Sequence, residues 1–481
     1  MLCKCRSPST RDAVSILILP VSYSLLAQYL HICGCWQSSY KYCDFGLRYS
    51  PENETLQSLK EVVRKTVHEN QRGGSSSSTE ECINIEDWPD SGFVRRECYP
   101  WNDLEPDRCS DESLADLNME MAKVAPKFQV LATDLPNLTT SGDKSKPIKQ
   151  LGVFAKEDIA PGEVVLKEKS LLTANNRLQD ALCDACSVDL PELSTKSTSN
   201  SSQTSSVVSC EECQAVFCSQ ECLDEAMELY HPALCDKDVD SLARGKSPAE
   251  AADSLYLLLL LRSLALAETQ DVHPLSLKEL KYIWGDYSPA DLDSTWMAPP
   301  TLSSLISTPS ANMDKAFSSL PRTLPFSFSS NIVLPFHMLT KMDINIFTTF
   351  ATYDVWIFNT LFAKFRGTAS ARLSGLGGQR IRGPEVSAVH PNWCLVNHSC
   401  DPHLRWEWGG EVTFTTRGER VGWKRDGEDK GRAQAGVKKG EEVLNHYCDV
   451  NLPVKERREW AAGSLGGPCL CDRCKWEAGE V

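Results

Sequence analysis

Four short pairs of soft metal ligands lie between residues 183 and 235: Cys183-x2-Cys186, Cys210-x2-Cys213, Cys218-x3-Cys222 and His231-x3-Cys235. A C-x-x-C pair lets one tight turn aim two sulfurs at a single ion. Zinc takes four such ligands tetrahedrally, so eight ligands in four pairs read as two ions with no open coordination position, which makes them structural. Each would add on the order of 10 kcal/mol of apparent folding free energy, enough to hold a module too small for a core of its own. Spacing leaves open whether the pairs fill the two ions sequentially or interleaved. A third group, Cys469-x-Cys471-x2-Cys474, supplies three ligands and leaves a fourth to be found. Thiolates that bind zinc must stay reduced, so the chain is expected in the nucleus or the cytoplasm.

Two further segments carry chemistry-bearing residues: NHSCDP at 397–402 and GEEVLNHY at 440–447. Alone, an Asn-His pair reads as a satisfied turn and a tyrosine as core packing. Together, and followed by C-x-C-x2-C, they resemble the SET-domain signature. The segment LGVFAKEDIAPGEVVLKE, starting at Leu151, is similar to that domain's opening strands. The four ligand pairs resemble a MYND finger, and their place in the chain is the one used in the SET-and-MYND family of protein-lysine methyltransferases.

That resemblance implies an α+β chain: a β-rich SET fold of small curved sheets with a pseudoknot, an inserted MYND double-zinc module and a helical insert. It implies S-adenosyl-L-methionine as cofactor, with Leu151, Gly152, Asn397 and His398 along it and the hydroxyl of Tyr447 at the methyl-transfer point, where it is expected both to touch the cofactor and to act catalytically. It implies interleaved ligation, with Cys183, Cys186, Cys218 and Cys222 on one zinc and Cys210, Cys213, His231 and Cys235 on the second. Cys400 is expected to join Cys469, Cys471 and Cys474 on a third zinc. The implied partners are a protein substrate with a target lysine, such as a histone or another basic protein, and a proline-rich peptide at the finger.

Three positions depart from the family pattern. Leu465 stands where a second channel tyrosine is usual, and Gly467 where an aromatic ring usually meets the cofactor. The asparagine that often precedes NHSC has only Asn359 as a candidate counterpart, and Trp460 is the candidate replacement for the aromatic wall. These departures favour a rival class, a catalytically weak or silent adaptor that recruits partners through its finger.

The elements that must position these residues are legible in outline. Residues 1–80 read as an apolar stretch followed by a linker. Ala13 to Tyr40 holds no Asp, Glu, Lys or Arg, but Pro20, five serines, Gln28 and His31 dilute it, so a buried or irregular piece is expected rather than a membrane anchor. Residues 81–147 suggest no assignment. The first part of the SET domain is expected over 148–182, with a strand starting at Val153-Phe154, a turn at Pro161-Gly162 and a second strand over VVLKE. The zinc module takes 183–235. A helical insert over 236–385 contains a Leu-rich helix from Ala251 to Ala267 and a Ser/Pro/Thr-rich loop over 286–330. The catalytic part follows over 386–450, with a hairpin of LRWEW and EVTFTT around Gly409-Gly410, and the last zinc region over 451–481. The net charge of −15 argues against non-specific nucleic-acid binding.

Overall fold

The computed structural model describes residues 8–72, 84–96, 98–99, 101–135, 147–176, 182–191, 207–239, 251–285, 322–372, 386–465 and 467–480. The chain forms two compact units, one of Met1–Glu97 with Pro289–Leu334 and one of Cys98–Ser288 with Pro335–Val481.

In the first unit the charge-free stretch is helical. Helices Pro8–Ile32 and Trp36–Tyr49 are separated by Gly34, whose φ of 85° suits only glycine without strain. The expected linker at 51–80 is instead largely a third helix, Glu54–Arg72. Leu56, Leu59, Val63 and Val67 recur at helical spacing, and all are buried against Ala27, Tyr40, Cys43 and Trp88. Asn53 starts the helix by accepting the Leu56 N–H at 3.0 Å. Among the described residues no helix is long and apolar enough to cross a membrane. Part of the expected 286–330 loop is also ordered: strand Arg322–Phe326 pairs antiparallel with Gly92–Arg95.

The second unit is mixed α+β with small antiparallel sheets. The segment without an assignment supplies helix Asp111–Val124, capped by Ser110, and strand Phe128–Leu135. That strand pairs with Ile148–Ala155, Val130 facing Val153 and Leu131 facing Gly152. The pairing extends the opening SET strand five residues ahead of the start expected from its own composition. Val164–Lys169 forms the edge of a three-stranded sheet with the 404–416 hairpin, whose Gly410 has a φ of 91°. Val153, Leu166, Val396, Leu404, Val412, Phe414 and Val443 close the core between these sheets.

Helix Ala251–Gln270 is apolar around most of its circumference and correspondingly buried over Ser254–Ala267 apart from the half-buried Tyr256. Its one basic residue, Arg262, donates to the Leu171 and Asp184 carbonyls and lies 3.7 Å from the Tyr230 ring centroid. A later helix of the insert is Val355–Thr368, and the residues before it, 346–352, are mostly turns. Its Lys364 is 1% exposed and tolerates burial because Glu105 and the Leu280 and Ile283 carbonyls surround the ammonium.

Candidate functional site

The ligand pairs sit on elements that preset their geometry. Cys183 and Cys210 each begin a turn whose fifth residue, Ser187 or Gln214, returns its N–H to the cysteine carbonyl with a positive φ. Ser219 caps helix Gln220–Leu229 by accepting the Cys222 N–H, which fixes Cys222 in the first turn one step from Cys218. A helical turn joins His231 to Cys235, whose N–H reaches the His231 carbonyl at 2.8 Å.

These turns converge on the interleaved grouping. Ligand atoms of Cys183, Cys186, Cys218 and Cys222 lie within 4.8 Å of one another, as do those of Cys210, Cys213, His231 and Cys235. The Cys186–Cys218, Cys218–Cys222 and Cys210–Cys235 sulfurs are 3.7, 3.6 and 3.7 Å apart. Four sulfurs at about 2.3 Å from one tetrahedral zinc would stand roughly 3.8 Å apart. The donor set fits zinc. A cavity of about 340 Å³ adjoins the second group, lined among others by Asn175, Asp184, Cys213, His231 and Arg262.

Cys400 meets Cys469, Cys471 and Cys474 in a third group, with Cys400 3.4 Å from Cys474 and 4.0 Å from Cys469. This group also has the composition and spacing of a zinc centre. Arg473 ties it down by donating to the Cys400 and Val450 carbonyls at 2.7 and 2.8 Å. Arg457, 1% exposed, donates to the Cys474 sulfur and to Glu477, which also accepts from Arg473. Two guanidiniums thus face a thiolate-rich centre, which lowers the local negative potential.

Next to this clamp the two motif segments cross. His398 and Asn445 form a parallel bridge: the Asn445 N–H donates to the Asn397 carbonyl and the Ser399 N–H to the Asn445 carbonyl, each at 2.8 Å. The Tyr447 N–H donates to His398 Nδ1 at 3.0 Å, and the two rings lie 5.2 Å apart. Tyr447 Oη donates to the Val396 carbonyl at 2.9 Å. On the other flank Asn397 Nδ2 donates to the Leu151 carbonyl at 3.0 Å and to Glu442 Oε1 at 2.8 Å. Leu151, Gly152, Asn397, His398 and Tyr447, drawn from three distant stretches of chain, therefore occupy one place.

Burial sets the electrostatics. It pushes the Tyr447 phenol above its ordinary value, with Cys394 and Glu442 adding to the effect, so the group is a neutral phenol at physiological pH. Burial draws the His398 imidazole down to about 4, against a smaller upward pull from Cys471. The hydroxyl proton of Tyr447 is committed to Val396, which leaves the oxygen's lone pairs as its free hydrogen-bonding capacity.

Two contributors, Glu442 and Glu168, were missed in the sequence, and the expected Gly152 has a packing role that its position in the motif does not show. Glu442 lies inside the GEEVLNHY motif, but nothing in its spacing shows that it receives Asn397. Gly152 is a close-approach glycine: a Cβ there would stand 2.7 Å from Glu442 Oε1 and 3.1 Å from both Phe154 Cε2 and Thr133 Cγ2. Glu168, 3% exposed, accepts the Asn392 N–H, the Asn392 side-chain amide and the Trp393 N–H, and so anchors the turn that leads into Asn397.

One expectation is corrected. Trp460 is 61% exposed on the outer face of helix Val454–Leu465, too far in solvent to form an aromatic wall. Asn359 donates its side-chain amide to the Tyr99 hydroxyl at 2.6 Å. Leu465 packs beside the third cysteine group.

The SET domain family model matches residues 150–448, more than half of the chain, and the chain belongs to the SET domain family. No curated protein matches it. Among solved structures it is similar to the SET domain of LSMT bound to lysine and AdoHcy. The identity is 16%, covering 74% of this chain and 57% of that one, with a TM-score of 0.28. The chain thus spans a little over half the length of that structure.

Proposed function

We propose that the chain is a protein-lysine N-methyltransferase that transfers a methyl group from S-adenosyl-L-methionine to a lysine of a histone or another basic protein. The observation that carries this reading is the crossing of Asn397–His398 with Asn445–Tyr447 against Leu151–Gly152. The cofactor supplies an activated sulfonium methyl; in the transfer the S–CH3 bond breaks, an N–CH3 bond forms, and the amine nitrogen sheds a proton. Most of the work left to the protein is alignment of a neutral amine in line with that bond.

The residues suit the task. A buried crossing disfavours the charged ammonium and so helps it lose its proton. Tyr447 offers lone pairs where a lysine N–H or a polarised methyl C–H would need an acceptor. Glu442 places a carboxylate beside Asn397 and Gly152, which favours a cationic ligand. The four-pair insert reads as a MYND finger that takes proline-rich peptides, and the acidic chain (net charge −15) suits a basic protein partner. Nuclear or cytoplasmic placement follows from the reduced thiols that these sites require.

Tyr447→Phe is the test. With the fold and cofactor affinity retained, labelled-methyl transfer to a panel of histones and cell extract should fall by about 10²–10³-fold, the usual scale for a lost preorganised polar group. Unchanged turnover would remove Tyr447 from the mechanism. A second reading, an adaptor without catalysis, is favoured by Leu465, which packs against the cysteine group and offers no hydroxyl. Absence of any melting-temperature shift at millimolar S-adenosylmethionine would support the adaptor.

A further inference from the structure

His398, Cys400 and Cys448 bring their ligand atoms within 4.8 Å of one another, a second constellation that shares Cys400 with the four-cysteine group. Taken by distance alone, it would suit another ion bridged by the Cys400 sulfur. The imidazole decides otherwise. A neutral imidazole has one lone pair and one N–H on its two nitrogens. His398 Nδ1 receives the backbone N–H of Tyr447 at 3.0 Å, so its lone pair faces that donor and its proton must sit on Nε2. Nε2 lies 3.4 Å from the Cys400 sulfur, a normal length for an N–H donor on sulfur. A nitrogen that carries a proton toward the sulfur has no lone pair to offer a metal.

We infer that His398 is a positioning residue that donates Nε2–H to the Cys400 thiolate of the third zinc centre while its Nδ1 holds the backbone of Tyr447. Through these two hydrogen bonds the ring links the metal clamp to the proposed catalytic tyrosine, and it carries no metal of its own. When zinc holds Cys400 as a thiolate, the sulfur is a strong acceptor and the ring is fixed in one tautomer and one orientation. A thiol at Cys400 is a weak acceptor and brings a donor of its own, so the ring loses that tether and Tyr447 loses a fixed acceptor. Metal occupancy and the geometry at Tyr447 are therefore coupled, and the coupling runs both ways. Outer-shell partners of this kind contribute about 10–100-fold to metal affinity.

The role of Tyr447 rests on the proposed methyl transfer, but the hydrogen bond to Cys400 does not, and its test reads zinc and protons rather than turnover. Asparagine at 398 keeps an acceptor near the Nδ1 position and loses the donor at Nε2; glutamine does the reverse. Zinc release from the full-length, zinc-loaded protein to a chromophoric chelator would be followed for both variants, with melting temperature as the check on fold. His398→Asn should release one zinc equivalent roughly 10–100-fold faster than wild type, while His398→Gln stays within a few-fold of it. Equal release rates for the two variants, whether fast or slow, would overturn the inference, because a ring that merely filled space would be missed alike in both. Should the Asn variant not fold, the imidazole 15N shifts of the wild-type protein give an independent answer. A protonated Nε2 with a bare Nδ1 is expected, and the opposite tautomer would refute the assignment.

Discussion

Gly152→Ala probes the crossing at its tightest point. The backbone there carries no positive φ, so alanine meets no conformational penalty and recovers about 0.4–1 kcal/mol through a less flexible unfolded chain. Its methyl group is the difficulty. An alanine Cβ would lie 2.7 Å from Glu442 Oε1, whereas a comfortable C···O contact is about 3.3–3.6 Å. Glu442 is the end of a flexible side chain and can swing by the required 0.6–0.9 Å or so, which takes the 2.8 Å bond from Asn397 out of range. A hydrogen bond to a charged acceptor contributes about 1.5–3 kcal/mol, toward the low end here because Glu442 is half-exposed. Phe154 and Thr133, each 3.1 Å from the new methyl, add about 1 kcal/mol of crowding.

Stability should therefore drop only modestly, by about 1–2 kcal/mol, while Asn397 loses its orientation. If the same 1–2 kcal/mol is lost from ligand binding, then at about 1.4 kcal/mol per factor of ten S-adenosylhomocysteine measured by calorimetry should bind roughly 5–30-fold more weakly. The double variant Gly152→Ala with Glu442→Ala tests the cause. With the carboxylate already gone, the added methyl should have little further effect on affinity, giving a coupling energy well outside additivity. Full affinity in Gly152→Ala, or strict additivity in the double variant, would refute the claim that Glu442 transmits the clash to Asn397.

Metal analysis of the purified chain should find three zinc equivalents, and Cys400→Ser should leave two while the two sites of the insert persist. Glu477→Ala leaves Arg457 and Arg473 buried without their shared carboxylate and should destabilise the chain by about 3–5 kcal/mol in urea unfolding, with faster loss of one zinc. Glu168→Gln keeps an oxygen for the two Asn392 donors but turns an amide donor toward the Trp393 N–H, and should lower stability by about 1–3 kcal/mol, read as melting temperature. Burial pushes the Glu168 carboxyl above its ordinary value despite its hydrogen bonds from Asn392 and Trp393. The folded chain then binds that proton more tightly than the unfolded one, so the stability advantage of wild type over Glu168→Gln should widen as pH falls through the raised value.

Much of this protein was legible in one dimension because its ligands come in local pairs. A cysteine two or three residues from its partner presents both sulfurs to one point whatever the surrounding fold. The ligand types of all three cysteine groups could therefore be read from spacing, as could the strands around Gly409-Gly410 and the buried Leu-rich helix. The stretch Leu56–Val67 was equally legible in principle; its helical stripe was masked by the polar residues around it. What only the tertiary structure decided were relations between distant segments. Ile148 to Gly152 owe their strand to pairing with Leu131 to Leu135, because a strand edge is completed by a partner and not by its own propensity. The interleaved grouping of the ligand pairs, the reach of Glu442 to Asn397 and the orientation of the His398 ring likewise depend on which segments cross. Hydrogen bonds and coordination act over about 2–4 Å, and nothing in sequence order says which residues, separated by anything from 32 positions (Cys186 and Cys218) to 246 (Leu151 and Asn397), will come that close.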